Sequence, residues 1–109
     1  MKWKAIETFF LDMDGTLLDL AYDNFFWHEH LPKIYSRAKG ISCITAKSEF
    51  EKMYKKKENT IQWYSLKHWS DVLQIDLLSE LLTTKNEIKI LPKVKDFLYL
   101  LKKNNIKVF

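Results

Sequence analysis

Two aspartates one residue apart, Asp12 and Asp14, follow the apolar Phe9, Phe10 and Leu11 and lead directly into Gly15 and Thr16. Side chains alternate along an extended chain, so carboxylates at i and i+2 point to one side of a strand. Two acids closing a buried strand repel each other and cost desolvation energy unless a cation or a proton compensates. Gly15 supplies the backbone freedom for a tight turn, and the Thr16 hydroxyl is expected to fix the loop by bonding nearby backbone. Such a site suits Mg²⁺ and a carboxylate that attacks phosphorus. An EF-hand calcium loop also opens D-x-D, but it needs Gly at its sixth position and a bidentate Glu at its twelfth. Leu17 and Asp23 stand there, which excludes that reading.

The stretch FFLDMDGTLLDL, from Phe9 to Leu20, resembles motif I of the haloacid dehalogenase (HAD) superfamily: apolar residues, then D-x-D-G-T, then two more apolar residues. Downstream, LDLAYDNFFW from Leu18 to Trp27, TIQWY from Thr60 to Tyr64, and Trp69-Ser70 resemble purine 5′-nucleotidases of that superfamily, of the GMP/IMP-hydrolysing type. The likeness runs along nearly the whole chain.

The resemblance implies a phosphatase that works through an aspartyl-phosphate. Asp12 carries over as the nucleophile and Asp14 as the general acid and base. Members with an ATPase role usually hold Thr at the second position, so Asp14 favours a phosphatase or phosphomutase. Mg²⁺ is the implied cofactor, held by the Asp12 carboxylate and the Asp14 backbone carbonyl, and it offsets repulsion between anions. The implied substrate is a purine nucleoside 5′-monophosphate, with Asp23, Asn24 and Trp27 as candidates to meet ribose or base. Capping a helix is the other job open to Asp23 and Asn24.

The resemblance also implies three elements outside these 109 residues. They are a Thr or Ser directly after the second strand, a later Lys, and an acidic pair after a fourth strand. Lys102, Lys103 and Lys107 precede or lie within the second strand and cannot take the Lys role. The expectation is the N-terminal half of such an enzyme. The alternative is a truncated, non-catalytic remnant, associating with itself or with a complementary fragment, its cap better ordered than its sheet.

The elements that must position the site follow from periodicity. Residues 5–11 read as a buried strand, rich in aromatic and β-branched residues. Helical patterning begins near Asp19, with Pro32 as a break or fresh start and Gly40 as a terminator. Thr45 is expected to cap a helix whose face holds Ala46, Phe50, Met53, Tyr54 and Lys57. Residues 65–73 form another helix, burying Leu66, Trp69 and Leu73, and Asp76 caps a short one over 77–82. Pro92 opens a helix presenting Val94, Phe97, Leu98 and Leu101, ended by Asn104-Asn105. Residues 106–109 then start a second strand.

The expected fold class is α/β: a partial HAD-like Rossmannoid core of two parallel strands and a helix, with an inserted helical cap. A strand, a crossover and a second strand pair in parallel with right-handed connection. The expected segments are 1–18 for the first strand and catalytic loop, 19–87 for the cap, and 88–109 for the start of the remaining core. In the cap, Phe25, Phe26, Trp27, Trp63, Tyr64 and Trp69 either stack on a purine or form the core of a small helical domain; aromatics at helical spacing are usually buried. His28 and His30 fall on different sides of a helix, which disfavours a shared metal, and His68 has no evident partner.

Composition narrows the classes further. With 47% hydrophobic and 15% aromatic residues the 109-residue chain is globular rather than disordered. No stretch approaches the ~20 apolar residues of a membrane span. The start MKWKAIETFF is basic and then apolar, but Glu7 interrupts it and two aspartates follow, so it is not read as a signal peptide. A single Cys43 excludes an internal disulfide and suits a cytoplasmic location. The net charge is +4, and Lys55-Lys56-Lys57 form a basic run. Acidic residues are scattered among the lysines, so the run reads as a solvated helix face rather than a nucleic-acid site.

Overall fold

The computed structural model describes residues 3–109. Met1 and Lys2, part of the expected segment 1–18 and of the basic start weighed as a leader, lie outside the described residues. The chain divides into two compact units: residues up to Leu20 together with Ile88–Phe109, and Ala21–Glu87 between them.

The first unit is built on two parallel strands, β1 (Thr8–Phe9) and β2 (Lys107–Val108), in the register Thr8 to Lys107 and Phe9 to Val108. Backbone bonds lengthen the ladder on both sides. Lys107 N–H donates to Glu7 O (2.9 Å), Phe109 N–H to Phe9 O (3.0 Å) and Leu11 N–H to Phe109 O (2.9 Å). The strand expected over 5–11 is therefore paired only from Glu7, because Trp3–Ala5 form a 3₁₀ turn.

Nor is that strand buried. Phe9 meets the Phe97 ring edge-on at 5.8 Å, whereas Phe10 stacks on Phe109 at 5.6 Å and both stay 70–80% exposed. A parallel strand is buried when helices cover both faces, and here one helix, α6 (Val94–Lys103), supplies the cover on the Phe9 side. Its apolar face carries the expected Val94, Phe97, Leu98 and Leu101, with Leu101 fully buried. The helix begins two residues after Pro92, since Lys93 takes a left-handed conformation (φ 64°) and Leu91 O accepts from Val94 N–H. Asn104 and Asn105 end it as expected: Asn105 is left-handed (φ 55°), a conformation Asn tolerates, and Asn104 Nδ2 donates to Leu100 O.

The second unit is helical: α1 (Leu20–Phe25) running through a π-helical turn (Phe26–His30) into α2 (Leu31–Lys39), then α3 (Cys43–Lys57), α4 (Leu66–Leu73) and α5 (Leu77–Thr84). Pro32 neither breaks the chain nor starts a separate helix. It lacks an N–H and its ring crowds the carbonyl four residues back, so the helix widens by one residue before it and Leu31 N–H reaches Phe26 O. Gly40 ends α2 in the left-handed conformation (φ 67°).

Caps fix the other boundaries. Ser42, not Thr45, caps α3: its hydroxyl accepts from Thr45 N–H at 3.1 Å, with Thr45 inside the first turn. Ser65 caps α4 and Asp76 caps α5, which runs two residues past the expected end. Neither Asp23 nor Asn24 is a cap, because α1 starts ahead of them at Leu20.

Nearly all deep burial lies in this unit. Phe26, Leu31, Phe50, Tyr54, Trp69, Leu73 and Leu77 form one core, with Trp27, Trp63 and Met53 half-buried against it. Tyr54 is its centre. Its ring meets those of Trp69 (5.4 Å), Phe50 (5.7 Å), Trp63 (5.8 Å) and Trp27 (6.2 Å), all near perpendicular, the favoured edge-to-face arrangement. Two of the open readings are thereby decided: Phe26 and Trp69 are core. Among the described residues no helix is long and apolar enough to cross a membrane.

The π-turn leaves the Trp27 carbonyl without its ordinary helical donor, and the Tyr54 hydroxyl takes that place at 2.7 Å. Tyr54→Phe keeps the packing but strands the carbonyl, so it should destabilise the chain by about 1–3 kcal/mol in urea unfolding. Burial first, then the Asp23 charge, pushes the Tyr54 phenol above its usual value near 10. The unfolded chain therefore loses that proton first. The Tyr54 contribution is intact below about pH 10 and declines as pH rises further, and the fall should be shallower in Tyr54→Phe.

Candidate active site

Backbone bonds hold the loop after β1. Met13 O accepts from the N–H groups of Thr16 (3.3 Å), Leu17 (2.9 Å) and Leu18 (2.9 Å), and Gly15 N–H closes on Leu18 O (2.9 Å). The turn requires a left-handed residue, which Gly15 provides at φ 76°. The expected role of Thr16 is corrected: its hydroxyl bonds nothing among the described residues, because four backbone donors already tie the loop.

Both ends of the loop are pinned. Leu11, just before Asp12, donates the last rung of the β1–β2 ladder to Phe109. Beyond the loop, residues 17–19 pair antiparallel with 89–91 through Asp19 N–H to Lys89 O (2.8 Å) and Leu91 N–H to Leu17 O (3.0 Å). Sequence reasoning missed this second pairing; a one-bridge contact between segments some seventy residues apart leaves no periodic signal.

Asp12 and Asp14 both lie on this loop and both are exposed. The desolvation cost expected of two buried acids does not arise here, since water solvates each carboxylate. The oxygen donors suit a hard cation: the Asp12 carboxylate is open to solvent, and no described group donates to the Asp14 carbonyl. The set is small, however, and among the described residues no group of three or more His, Cys, Asp or Glu is placed to hold a metal ion. Mg²⁺ on these two oxygens would keep most of its water.

The other candidates stand on the helical unit. Asp23 and Asn24 are exposed on α1, and Trp27 is half-buried in the π-turn against the core. His28 packs on the Tyr54 ring, while His30 Nε2 bonds Glu80 Oε2 at 2.9 Å. His68 Nε2 is buried with no hydrogen-bond partner among the described residues.

Comparison with known proteins agrees with this architecture. No protein-family model matches the chain. The chain has the fold of a HAD phosphatase from Thermococcus onnurineus, with a TM-score of 0.76 and 20% identity over 94% of this chain and 49% of that one. It is 39% identical over 75 residues to the GMP/IMP nucleotidase YrfG of Escherichia coli (strain K12), and equally so to that of Shigella flexneri. That match takes in 69% of this chain and 34% of the relative, so the chain spans about a third of the length of the curated relatives it matches. The fold is a partial α/β fold of the HAD type, and the chain is similar in sequence to part of a GMP/IMP nucleotidase.

Gly15 has little room for a side chain. A Cβ there would sit 3.2 Å from Leu20 Cδ1 and in a left-handed conformation. Gly15→Ala should cost about 1–2 kcal/mol from backbone strain alone, measured by urea unfolding. A Gly40→Ala control shares the left-handed backbone but meets no atom within 4 Å, so it should cost less.

Proposed function

We propose that the chain carries the nucleophile loop of a Mg²⁺-dependent phosphomonoesterase acting on purine nucleoside 5′-monophosphates, GMP and IMP among them. The observation that carries this is Asp12 on an exposed loop, one residue past the last rung of a parallel ladder, with Asp14 two residues on. The 39% identity to a GMP/IMP nucleotidase supports the substrate class.

In this reading an Asp12 carboxylate oxygen attacks phosphorus in line. The P–O bond to the nucleoside breaks, and Asp14 gives its proton to the departing ribose oxygen. Asp14 then takes a proton from water as that water attacks the aspartyl-phosphate, releasing phosphate and restoring Asp12. Mg²⁺ on the Asp12 carboxylate and the Asp14 carbonyl would supply charge neutralisation. Asp23, Asn24 and Trp27 are proposed to meet the nucleoside. The second reading, a non-catalytic chain that keeps the nucleophile, is favoured by the two-oxygen metal set of these residues.

A chimera decides between them: the remaining segment of the E. coli relative joined after Phe109. The enzyme reading expects Mg²⁺-dependent phosphate release from GMP and IMP that drops to background in Asp12→Asn. Asp14→Asn should lose about 10²–10⁴-fold in rate, the usual worth of a positioned acid–base. A folded chimera that releases no phosphate supports the second reading, and release that survives Asp12→Asn removes the nucleophile assignment.

A further inference from the structure

The helical unit contains a cavity of about 280 Å³, lined by Phe25, Glu29, His30, Lys33, Cys43 and Lys47. None of these residues belongs to the Asp12 loop. One wall is a product of the π-turn. In a regular α-helix residues 25, 29 and 33 share a face; the extra residue of the turn Phe26–His30 brings His30 onto it beside Glu29. Such turns inside α-helices recur at functional sites. The other wall is the start of α3, where Cys43 and Lys47 lie four residues apart.

The lining charges are uneven. Lys47 Nζ pairs with Glu29 Oε2 at 2.8 Å, and His30 is held by Glu80, which does not line the cavity. Lys33 has no ion pair among the described residues. The other side of the lining is aromatic: Phe25 is 41% exposed, and its ring lies 5.7 Å from that of His30, tilted by 39°. An aromatic ring pair beside an ammonium with no ion pair among the described residues matches a small ligand with a flat group and an oxyanion.

We infer that this cavity is a binding site for a small organic oxyanion, a phosphate ester or a carboxylate carrying a planar group. Lys33 supplies the free charge and Lys47, shared with Glu29, the second contact; ammonium groups bind phosphate as point charges. Phe25 and His30 pack on the planar part. The volume limits the ligand to about one ring and one anionic group.

The 109-residue chain titrated with phenyl phosphate, and separately with benzoate, in the absence of Mg²⁺ tests this by amide NMR. Saturable shifts are expected at residues 25–33 and 43–47. Phenyl phosphate binding alone assigns phosphate esters, benzoate alone carboxylates, and both a general oxyanion site. Lys33→Gln, an exposed change that spares the core, should weaken binding about tenfold, whereas Lys55→Gln on the basic run should leave it unchanged. Shifts that do not saturate or that fall only on residues 12–16 overturn the proposal, as does equal weakening by Lys55→Gln.

Discussion

The parallel pairing of Thr8–Phe9 with Lys107–Val108 is the constraint on which the candidate site depends. It joins segments about a hundred residues apart, and closing a flexible loop of that length costs about 4 kcal/mol in chain entropy before any contact repays it. Two features lower that cost. Residues 21–87 fold around a core of their own, and residues 17–19 pair with 89–91, so the crossover is already gathered where the chain leaves and returns. Asp12 inherits its position from this ladder: Leu11 makes the last rung, and the next residue, Asp12, is exposed at its end.

The chemistry was legible because it is local. Asp12, Asp14 and Gly15 announce a turn and an oxygen-rich site through residue type and spacing alone, and the left-handed Gly15 answers the turn requirement directly. Helices were legible for the same reason, down to Gly40 as terminator and Asp76 as cap. The errors arose where neighbours compete. Ser42 and Thr45 are both good capping residues, and only the backbone decides which lies outside the helix. Strand burial was misjudged because an aromatic run says that a face is apolar but not what covers it. Phe10 and Phe109 stack on one another and both stay largely exposed.

The aromatic residues show how one pattern divides between two uses. Phe26 and Trp69 are sealed in the core, and the edge-to-face ring contacts around Tyr54 account for why so many aromatics fit in so small a unit. Phe25, the immediate neighbour of Phe26, instead faces the cavity. The π-turn separates these roles. It follows from Pro32, whose missing N–H makes a regular helix untenable there, and its unpaired Trp27 carbonyl is answered by Tyr54 from another helix. The cavity could not be read from sequence, because it needs Cys43 and Lys47 from α3 as well as residues of the widened helix.

On the proposed reading everything turns on which carboxylate becomes phosphorylated. The most direct measurement is to react the chimera with GMP and Mg²⁺, trap the acyl-phosphate with borohydride, and locate the reduced residue by peptide mass spectrometry. The account predicts homoserine at position 12 and unmodified aspartate at position 14. Reduction at Asp14, or phosphate release with no trapped residue at either position, would contradict it.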